Sequence, residues 1–298
     1  YMTARLNLTA DDVVIIDRTT GQGQAILENV GDARVGIIIH ADHFSEGATD
    51  DDYILWNNYY EYAFAMHDYI DFYVTATEDQ RKLLLDQFKK YSGATPNTVT
   101  IPVGALTELK YPSGDRMKHS LITASRLATE KHVDWLVDAV VEAHKTIPDI
   151  TLDIYGKGAA EKSLAEQIKK LGADSYIRLM GQHDLTDVYA DYEAYLSGST
   201  SEGFGLTLME AIGSGLPIIG FDVRYGNQNF IDQGKNGYKI PYTVGMEKSR
   251  RQKLMVDKIK SLFLDDDLEE MHKYSYKKAK KYLAKEVEAK WKKLIEKK

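Results

Sequence analysis

The segment at residues 201–210 combines glycines and carboxylates in a spacing that suits a ligand site. Glu202, Gly203 and Gly205 follow a predicted strand and open a predicted helix, on which Glu210 lies further along. Glycines at a helix start let backbone N–H groups approach an anion, which the helix dipole also favours. A carboxylate beside a phosphate would be repelled, so both glutamates are better suited to the hydroxyl groups of a sugar or ribose. The alternative is a charged helix start followed by a solvated glutamate.

Two basic residues, Arg126 and Lys131, lie five positions apart at a predicted strand-to-helix turn. Together they could hold a diphosphate, with arginine as a bidentate donor and lysine as a point charge. The alternative is an exposed basic pair, but the position directly after a buried strand favours the ligand role.

A third polar segment contains His40, Asp42 and His43, and His40 ends a predicted strand. His40 is either a site residue or a hydrogen-bonded core residue. Two histidines and one aspartate within four residues do not easily ligate a single ion, so we predict no metal site.

Two glycine motifs argue against other nucleotide-binding families. GQGQAI (21–26) has Ile26 in place of the third glycine of a dinucleotide fingerprint, and YGKG (155–158) is too short for a phosphate-binding P-loop. Neither a nicotinamide site nor a P-loop is therefore predicted.

The elements that must position these residues alternate between apolar runs and helical patterns. We predict strands at residues 12–17, 34–40, 71–77, 97–104, 119–125, 149–156, 176–181, 193–199, 216–222 and 236–241. We predict helices at residues 54–68, 78–90, 132–146, 159–171, 185–190 and 207–214, and a charged helical region from 249 onward. Buried strands separated by helices indicate parallel sheets, which bind ligands beyond the carboxyl ends of their strands.

Composition limits the class of protein. A chain of 298 residues, 43% hydrophobic, is expected to form two domains, and 28% charged residues exclude a fibrous protein. A net charge of −7 excludes a globally cationic nucleic-acid binder, and the absence of cysteine excludes disulfides and thiolate catalysis. With no secretion signal and no apolar run near the roughly 20 residues of a membrane span, we expect a soluble cytoplasmic protein.

The chain contains, in this order, SRLATEKHVDWLVDA (125–139), YGKG (155–158) and SEGFGLTLMEAIGSGLPIIGFD (201–222). Together these segments resemble the nucleotide-sugar half of retaining glycosyltransferases of the GT-B fold, family 4 type, and Glu202 and Glu210 match the family's pair of glutamates. Three further segments are IIHADHFSE (38–46), ILWNNYYEYAF (54–64) and RYGNQNFIDQGKNGYKIP (224–241). These resemble the catalytic subunits that add N-acetylglucosamine to Ser/Thr of serine-rich repeat adhesins.

The resemblance implies an α/β fold of two Rossmann-like, doubly wound domains facing a cleft. A segment rich in proline and glycine at residues 102–115 reads as the linker. We therefore expect an acceptor-side domain at 1–105, a nucleotide-sugar domain at 106–271 and a C-terminal helix at 272–298 that crosses back to the first domain. Because the chain begins at Tyr1 with an interior-type strand close behind, we expect the first domain to be incomplete.

The resemblance also implies catalytic roles at matched positions. Arg126 and Lys131 would stabilise charge on the leaving UDP, and Glu202 would hold sugar hydroxyls. His40 would reach across the cleft to the transferred sugar. The leaving phosphate would help to deprotonate the acceptor, so that neither a protein nucleophile nor a metal or other cofactor is needed.

The donor-binding roles implied by the resemblance fall on loops and on one helix start. Leu206 and Thr207 would offer backbone N–H groups to the diphosphate, Thr207 its hydroxyl as well, and Glu210 would accept from the ribose hydroxyls. Gln182 and His183 would frame the uracil. The remaining donor-binding positions implied are Gly156, Gly203, Phe204 and Gly205.

The implied donor is UDP-GlcNAc, the acceptor a serine-rich repeat adhesin precursor and the partner a GtfB-type subunit. One alternative is a polyol-phosphate acceptor such as wall teichoic acid, and another is a non-catalytic subunit that binds the adhesin. A third is a fragment that binds nucleotide without reacting.

The lysine-rich tail has one predicted packed face, made of Tyr282, Val287, Trp291, Leu294 and Ile295. Its lysines either touch anionic lipid, as peripheral membrane contact, or form a solvated face.

Overall fold

The computed structural model describes residues 7–40 and 42–297, which fall into two compact units. The first unit takes in the described residues up to Val103 and those from Val287 onward, and the second runs from Gly104 to Glu286. The predicted domain boundary after residue 105 lies slightly beyond this division, and the predicted C-terminal segment 272–298 is split at Glu286. Tyr1, and Ala41 of the IIHADHFSE segment, lie outside the described residues.

Strands and helices alternate along most of the described chain. The strands are β1 (Val13–Ile16), β2 (Arg34–Ile39), β3 (Phe72–Thr75), β4 (Thr98–Thr100), β5 (Ser120–Ala124), β6 (Thr151–Tyr155), β7 (Ile177–Gly181), β8 (Ala194–Ser197), β9 (Ile218–Phe221) and β10 (Gly237–Ile240). The helices are α1 (Gly23–Leu27), α2 (Glu61–Ala65), α3 (Glu78–Ser92), α4 (Val133–His144), α5 (Glu161–Lys170), α6 (Leu206–Gly213), α7 (Gly226–Phe230), α8 (Lys248–Leu264), α9 (Leu268–Ala279) and α10 (Ala284–Ile295).

The sheet of the first unit is parallel, with spatial order β1-β2-β3-β4 among the described residues. Successive side chains of a strand point to opposite faces of the sheet, and the side chains of β3 are packed on both faces. Phe72 and Val74 pack with Leu294 of α10, whereas Tyr73 packs with Phe88 of α3. Both faces of the sheet are therefore covered by helices, as a parallel sheet requires.

The sheet of the second unit is also parallel, with spatial order β10-β9-β8-β5-β6-β7 in the described part of the chain. β5 pairs with β6 on one side and with β8 on the other. The order of strands therefore reverses between β5 and β8. In doubly wound sheets, the carboxyl ends of the strands at such a reversal form the ligand crevice.

Each predicted strand is present in the described residues, and the prediction of an α/β fold with two parallel sheets is confirmed. The predicted helix at 54–68 is wrong over its first half, because Trp56 pairs with Phe44 in an antiparallel bridge. The predicted helix at 185–190 is also wrong. A 3₁₀ turn at Tyr189–Asp191 replaces it. Arg116 donates hydrogen bonds to the carbonyl oxygens of Ala190 and Tyr192 at 2.6 and 2.8 Å.

From Gly104 onward, the predicted linker is part of the second unit. The Leu106 N–H donates to the Tyr282 carbonyl at 2.7 Å, and the Lys110 N–H donates to the Gly213 carbonyl at 2.9 Å. Proline and glycine here mark irregular but ordered backbone rather than a free connection.

The predicted apolar face of the tail is only partly correct. Val287, Trp291 and Leu294 pack in the first unit, whereas Tyr282 packs against Phe230 in the second. Ile295 is 44% exposed. Within residues 7–40 and 42–297, no helix combines the length and apolarity needed to span a membrane.

Candidate functional site

A cavity of about 410 Å³ opens in the second unit where the order of strands reverses. Its walls come from the segments that follow β5, β6 and β7 and from α6. The cavity is lined by Ala124, Ser125, Arg126, Tyr155, Gly156, Lys157, Gln182, His183, Asp184, Leu185, Tyr189, Thr207 and Glu210. Six residues predicted from the sequence thus share one cavity: Arg126, Gly156, Gln182, His183, Thr207 and Glu210.

Gly156 allows the loops after β5 and β6 to lie against each other. Its φ is +129°, and a Cβ added there would lie 1.9 Å from the carbonyl oxygen of Ser125. The Ser125 N–H donates to the Tyr155 carbonyl at 3.1 Å, and the Leu127 N–H donates to the Lys157 carbonyl at 2.9 Å. The glycine is required by close backbone approach, which places Ser125 and Arg126 at the cavity wall.

The start of α6 faces the same region through its backbone. Gly205 precedes the helix with φ +85°, and its carbonyl accepts from the N–H groups of Leu208 and Met209 at 3.1 and 3.0 Å. The first N–H groups of a helix lack intrahelical partners, which makes the amides of Leu206 and Thr207 donors for an anion. A phosphate-sized group beside Thr207 would meet these amides.

Phe204 is buried and packs edge-on against Phe230, with ring centroids 5.1 Å apart. It can therefore contact a ligand only through its backbone, and the same holds for Gly203 and Gly205, which have no side chain. These three residues and Leu206 precede Thr207 and lie outside the cavity lining.

Lys131 and Glu202 form an ion pair of 2.6 Å in which the side chains are 14% and 16% exposed. Ser199 Oγ donates to the same carboxylate oxygen of Glu202 at 3.3 Å. The Glu202 carbonyl also accepts from the N–H groups of Tyr225 and Gly226, which anchors the loop. Glu202 is thus held in place on both its side chain and its backbone.

Arg126 is exposed, at 77% of its side-chain surface, and pairs with Glu130 at 3.0 Å. Arg126 and Lys131 therefore do not share one partner: each pairs with its own carboxylate. An exposed ion pair typically contributes only about 0.2–1 kcal/mol, so the guanidinium is easily released to an anion.

Glu210 reaches the cavity from α6 and accepts a hydrogen bond from the Tyr189 hydroxyl at 3.1 Å. Burial raises the pKa of the Glu210 carboxyl above its ordinary value, and the hydrogen bond from Tyr189 partly opposes this. Burial also raises the pKa of Tyr189. Sequence reasoning missed Tyr189 and Asp184. The signal for Asp184 was its position directly after Gln182-His183.

Thr207 and the aromatic wall complete the cavity. The Tyr195 hydroxyl lies 3.0 Å from Thr207 Oγ1 and 2.8 Å from the Ala124 carbonyl oxygen, which fixes the threonine. Burial raises the pKa of Tyr195 to about 12. His183 lies edge-on to Tyr155 with ring centroids 6.0 Å apart, which gives the cavity a wall suited to a flat ring.

His40 lies in the first unit, at the carboxyl end of β2. Its Nε2 is 2.7 Å from Asp17 Oδ1, and its side chain is 29% exposed. His43, in contrast, is fully buried and lies 2.5 Å from Gln87 Oε1. His43 is a core residue, and the role of His40 toward a sugar stays a prediction. Among the residues described, no three His, Asp or Glu side chains are grouped to hold a metal ion.

The second unit contains a segment that matches a known protein family. Residues 118–263 match the family model described as glycosyl transferases group 1. The chain is 54% identical over 295 residues to the UDP-N-acetylglucosamine–peptide N-acetylglucosaminyltransferase GtfA subunit of Streptococcus gordonii. That alignment covers 99% of this chain and 58% of the relative.

Two solved structures are similar over nearly the whole chain. One is the pneumococcal O-GlcNAc transferase GtfA in complex with UDP and GlcNAc, with 50% identity and a TM-score of 0.93. The other is a GtfA/B complex, with 54% identity and a TM-score of 0.96. Each match covers 99% of this chain, and 58% and 59% of the two solved chains. The chain therefore spans less than two thirds of the length of these relatives.

Proposed function

We propose that this chain takes part in transferring N-acetylglucosamine from UDP-GlcNAc to Ser/Thr of a polypeptide. The premise is that residues 118–263 form a domain of the glycosyl transferases group 1 family. The observation that carries the proposal is the cavity at the strand reversal. It brings together the exposed guanidinium of Arg126, a helix start and the half-buried carboxylate of Glu210, which suit a diphosphate and a ribose.

The charges can be assigned to parts of the donor. The amides of Leu206 and Thr207, with Arg126, hold the diphosphate, and Lys131 adds positive charge beside it. Glu202, already fixed by Lys131, accepts from sugar hydroxyls. Glu210 accepts from the ribose hydroxyls. In the reaction the bond from the sugar C1 to phosphate breaks and a bond to the acceptor oxygen forms on the same face. The hydroxyl proton passes to the departing phosphate.

The proposal also includes the finer expectations drawn from the sequence. The acceptor is a serine-rich repeat adhesin precursor in the cytoplasm, and a GtfB-type subunit binds it. The GtfA/B complex among the similar structures supports the partner, and the name of the Streptococcus gordonii relative supports a peptide acceptor. The adhesin and the cytoplasmic location rest on the resemblance of the sequence alone. Arg126 and Lys131 stabilise the leaving diphosphate without a metal ion or other cofactor. For the lysines of the tail, we favour a solvated face over peripheral contact with anionic lipid.

One experiment tests the proposal. The full chain and its partner are incubated with a serine-rich peptide and either UDP-GlcNAc or UDP-glucose, in the presence of a chelator, and the peptide mass is measured. We expect a gain of one N-acetylhexosamine with UDP-GlcNAc alone. Glu210→Gln should abolish the gain, whereas Glu166→Gln, on the exposed face of α5, should not.

Transfer to a polyol-phosphate polymer but not to the peptide would replace the proposed acceptor. UDP binding without transfer to either acceptor would contradict a catalytic role for the chain. Absence of UDP binding would contradict the site itself.

A further inference from the structure

We infer that Tyr189 is the positioning residue for Glu210, and that through Glu210 it sets the preference of the site for a ribose with free hydroxyls. The inference rests on the proposed function, because it assumes that the cavity takes a uridine diphosphate group. Tyr189 itself need not touch the nucleotide.

The geometry fixes Tyr189 firmly. Its side chain is 1% exposed, and its hydroxyl lies 3.1 Å from Glu210 Oε2. It belongs to the 3₁₀ turn Tyr189–Asp191, which Arg116 clamps by donating to the carbonyl oxygens of Ala190 and Tyr192. A donor on such a clamped turn loses little conformational entropy when it holds a carboxylate.

Tyr189 and Glu210 also line a second cavity, of about 230 Å³. The two cavities share Asp184, Leu185, Tyr189 and Glu210. Rotation of the Glu210 side chain can therefore turn its carboxylate away from the nucleotide cavity. The hydrogen bond from Tyr189 to Oε2 opposes that rotation and leaves Oε1 to accept from ribose hydroxyls.

The charged groups around Glu210 make UDP binding depend on pH. The nucleotide cavity presents Arg126, Lys157, His183 and Asp184, and the second cavity adds Glu108 and Lys110. Burial raises the pKa of Glu210, as does the charge of Asp184, and the hydrogen bond from Tyr189 lowers it. Removing the Tyr189 hydroxyl therefore raises that pKa further, so that the carboxylate is protonated at a higher pH.

The test measures binding of UDP and of 2′,3′-dideoxy-UDP to the full chain by titration calorimetry over a pH series. In Tyr189→Phe we expect the Kd for UDP to rise about tenfold, because a hydrogen bond to a charged group is lost. The Kd for 2′,3′-dideoxy-UDP should change little. The acid limb of UDP binding should move to higher pH.

Tyr238→Phe is the matched control, because the Tyr238 hydroxyl donates to Asp266 at 2.6 Å and Tyr238 is not part of the cavity lining. Its two Kd values should equal those of the wild type. An equal rise for both nucleotides in Tyr189→Phe, or an unmoved acid limb, would overturn the inference while the proposed function stands. A wild-type chain that binds no UDP would overturn both.

Discussion

Lys131 and Glu202 meet at 2.6 Å although they follow different strands of the second sheet, β5 and β8. The two segments are in close contact. A Cβ added at Gly198 would lie 2.6 Å from the Lys131 carbonyl oxygen, and the Thr200 N–H donates to the Glu130 carbonyl at 3.2 Å. The ion pair therefore joins the two loops that flank the strand reversal, and it sets the position of both proposed catalytic groups.

Removing one member of this pair should destabilise the fold. In Glu202→Ala the ammonium of Lys131 loses its partner while it stays mostly buried, so the free energy of unfolding should fall by about 3 kcal/mol. Urea denaturation measures this. The exposed pair Lys145–Glu142 is the control, and Lys145→Met should cost under about 0.5 kcal/mol. Equal costs for the two variants would show that the Lys131–Glu202 pair contributes no more than a surface contact.

Arg126→Ala should separate binding from stability. Because Arg126 is 77% exposed, the free energy of unfolding should change by less than about 0.5 kcal/mol. Turnover of the UDP-sugar should fall on the order of 100-fold, because a donor to the developing phosphate charge is lost. Arg250→Ala, at an exposed position of α8, should leave both quantities unchanged. Unaltered turnover in Arg126→Ala would remove this residue from the proposed site.

Gly156→Ala should damage the cavity as well as the backbone. The positive φ and the collision with the Ser125 carbonyl oxygen should together cost about 3 kcal/mol of stability and weaken UDP binding. Gly172 has φ +63° and open space around an added Cβ, so Gly172→Ala isolates the cost of φ alone, about 1 kcal/mol. Calorimetry and denaturation check both variants. UDP binding that survives Gly156→Ala unchanged would show that the loop contact does not shape the cavity.

The fold could be predicted because its strands carry local signals. The run RVGIIIH (34–40) predicts a buried strand, and β2 covers Arg34–Ile39. The helix predicted at 54–68 is wrong over its first half because the pairing of Trp56 with Phe44 is a non-local contact that periodicity does not encode. The helix predicted at 185–190 is wrong for a similar reason, because Arg116 donates from a distant segment to the carbonyl oxygen of Ala190.

Residues of the candidate site could be predicted where their position directly after a strand is enough to place them in the cavity. Arg126, Gly156 and His183 each follow a strand, and parallel strands bring such positions to one edge of the sheet. Side-chain partners were not predictable. The pairing of Lys131 with Glu202, and that of Tyr189 with Glu210, depends on loop geometry across separate segments. No residue spacing in the sequence encodes these distances.

His272 should make the second unit sensitive to acid. It is half-buried, and its Nε2 lies 2.9 Å from the Glu193 carbonyl oxygen, to which the neutral ring donates. Burial is the main cause that lowers the pKa of His272 from 6.5 to about 4, and the charge of Arg116 also lowers it, whereas the hydrogen bond to Glu193 and the charge of Glu269 oppose the shift. The unfolded chain therefore binds a proton that the folded chain refuses, so stability is full above the unfolded pKa and falls as pH drops toward 4.

Between pH 6.5 and about pH 4, His272 should lower the free energy of unfolding by about 3 kcal/mol. Denaturation of the wild type and of His272→Gln at a series of pH values isolates it, because glutamine can still donate to the Glu193 carbonyl but does not titrate. The wild type should lose stability more steeply than the variant between the two pKa values. Parallel curves would mean that the folded protein accepts the proton at His272 without cost, and hence that the ring is not held neutral by its surroundings.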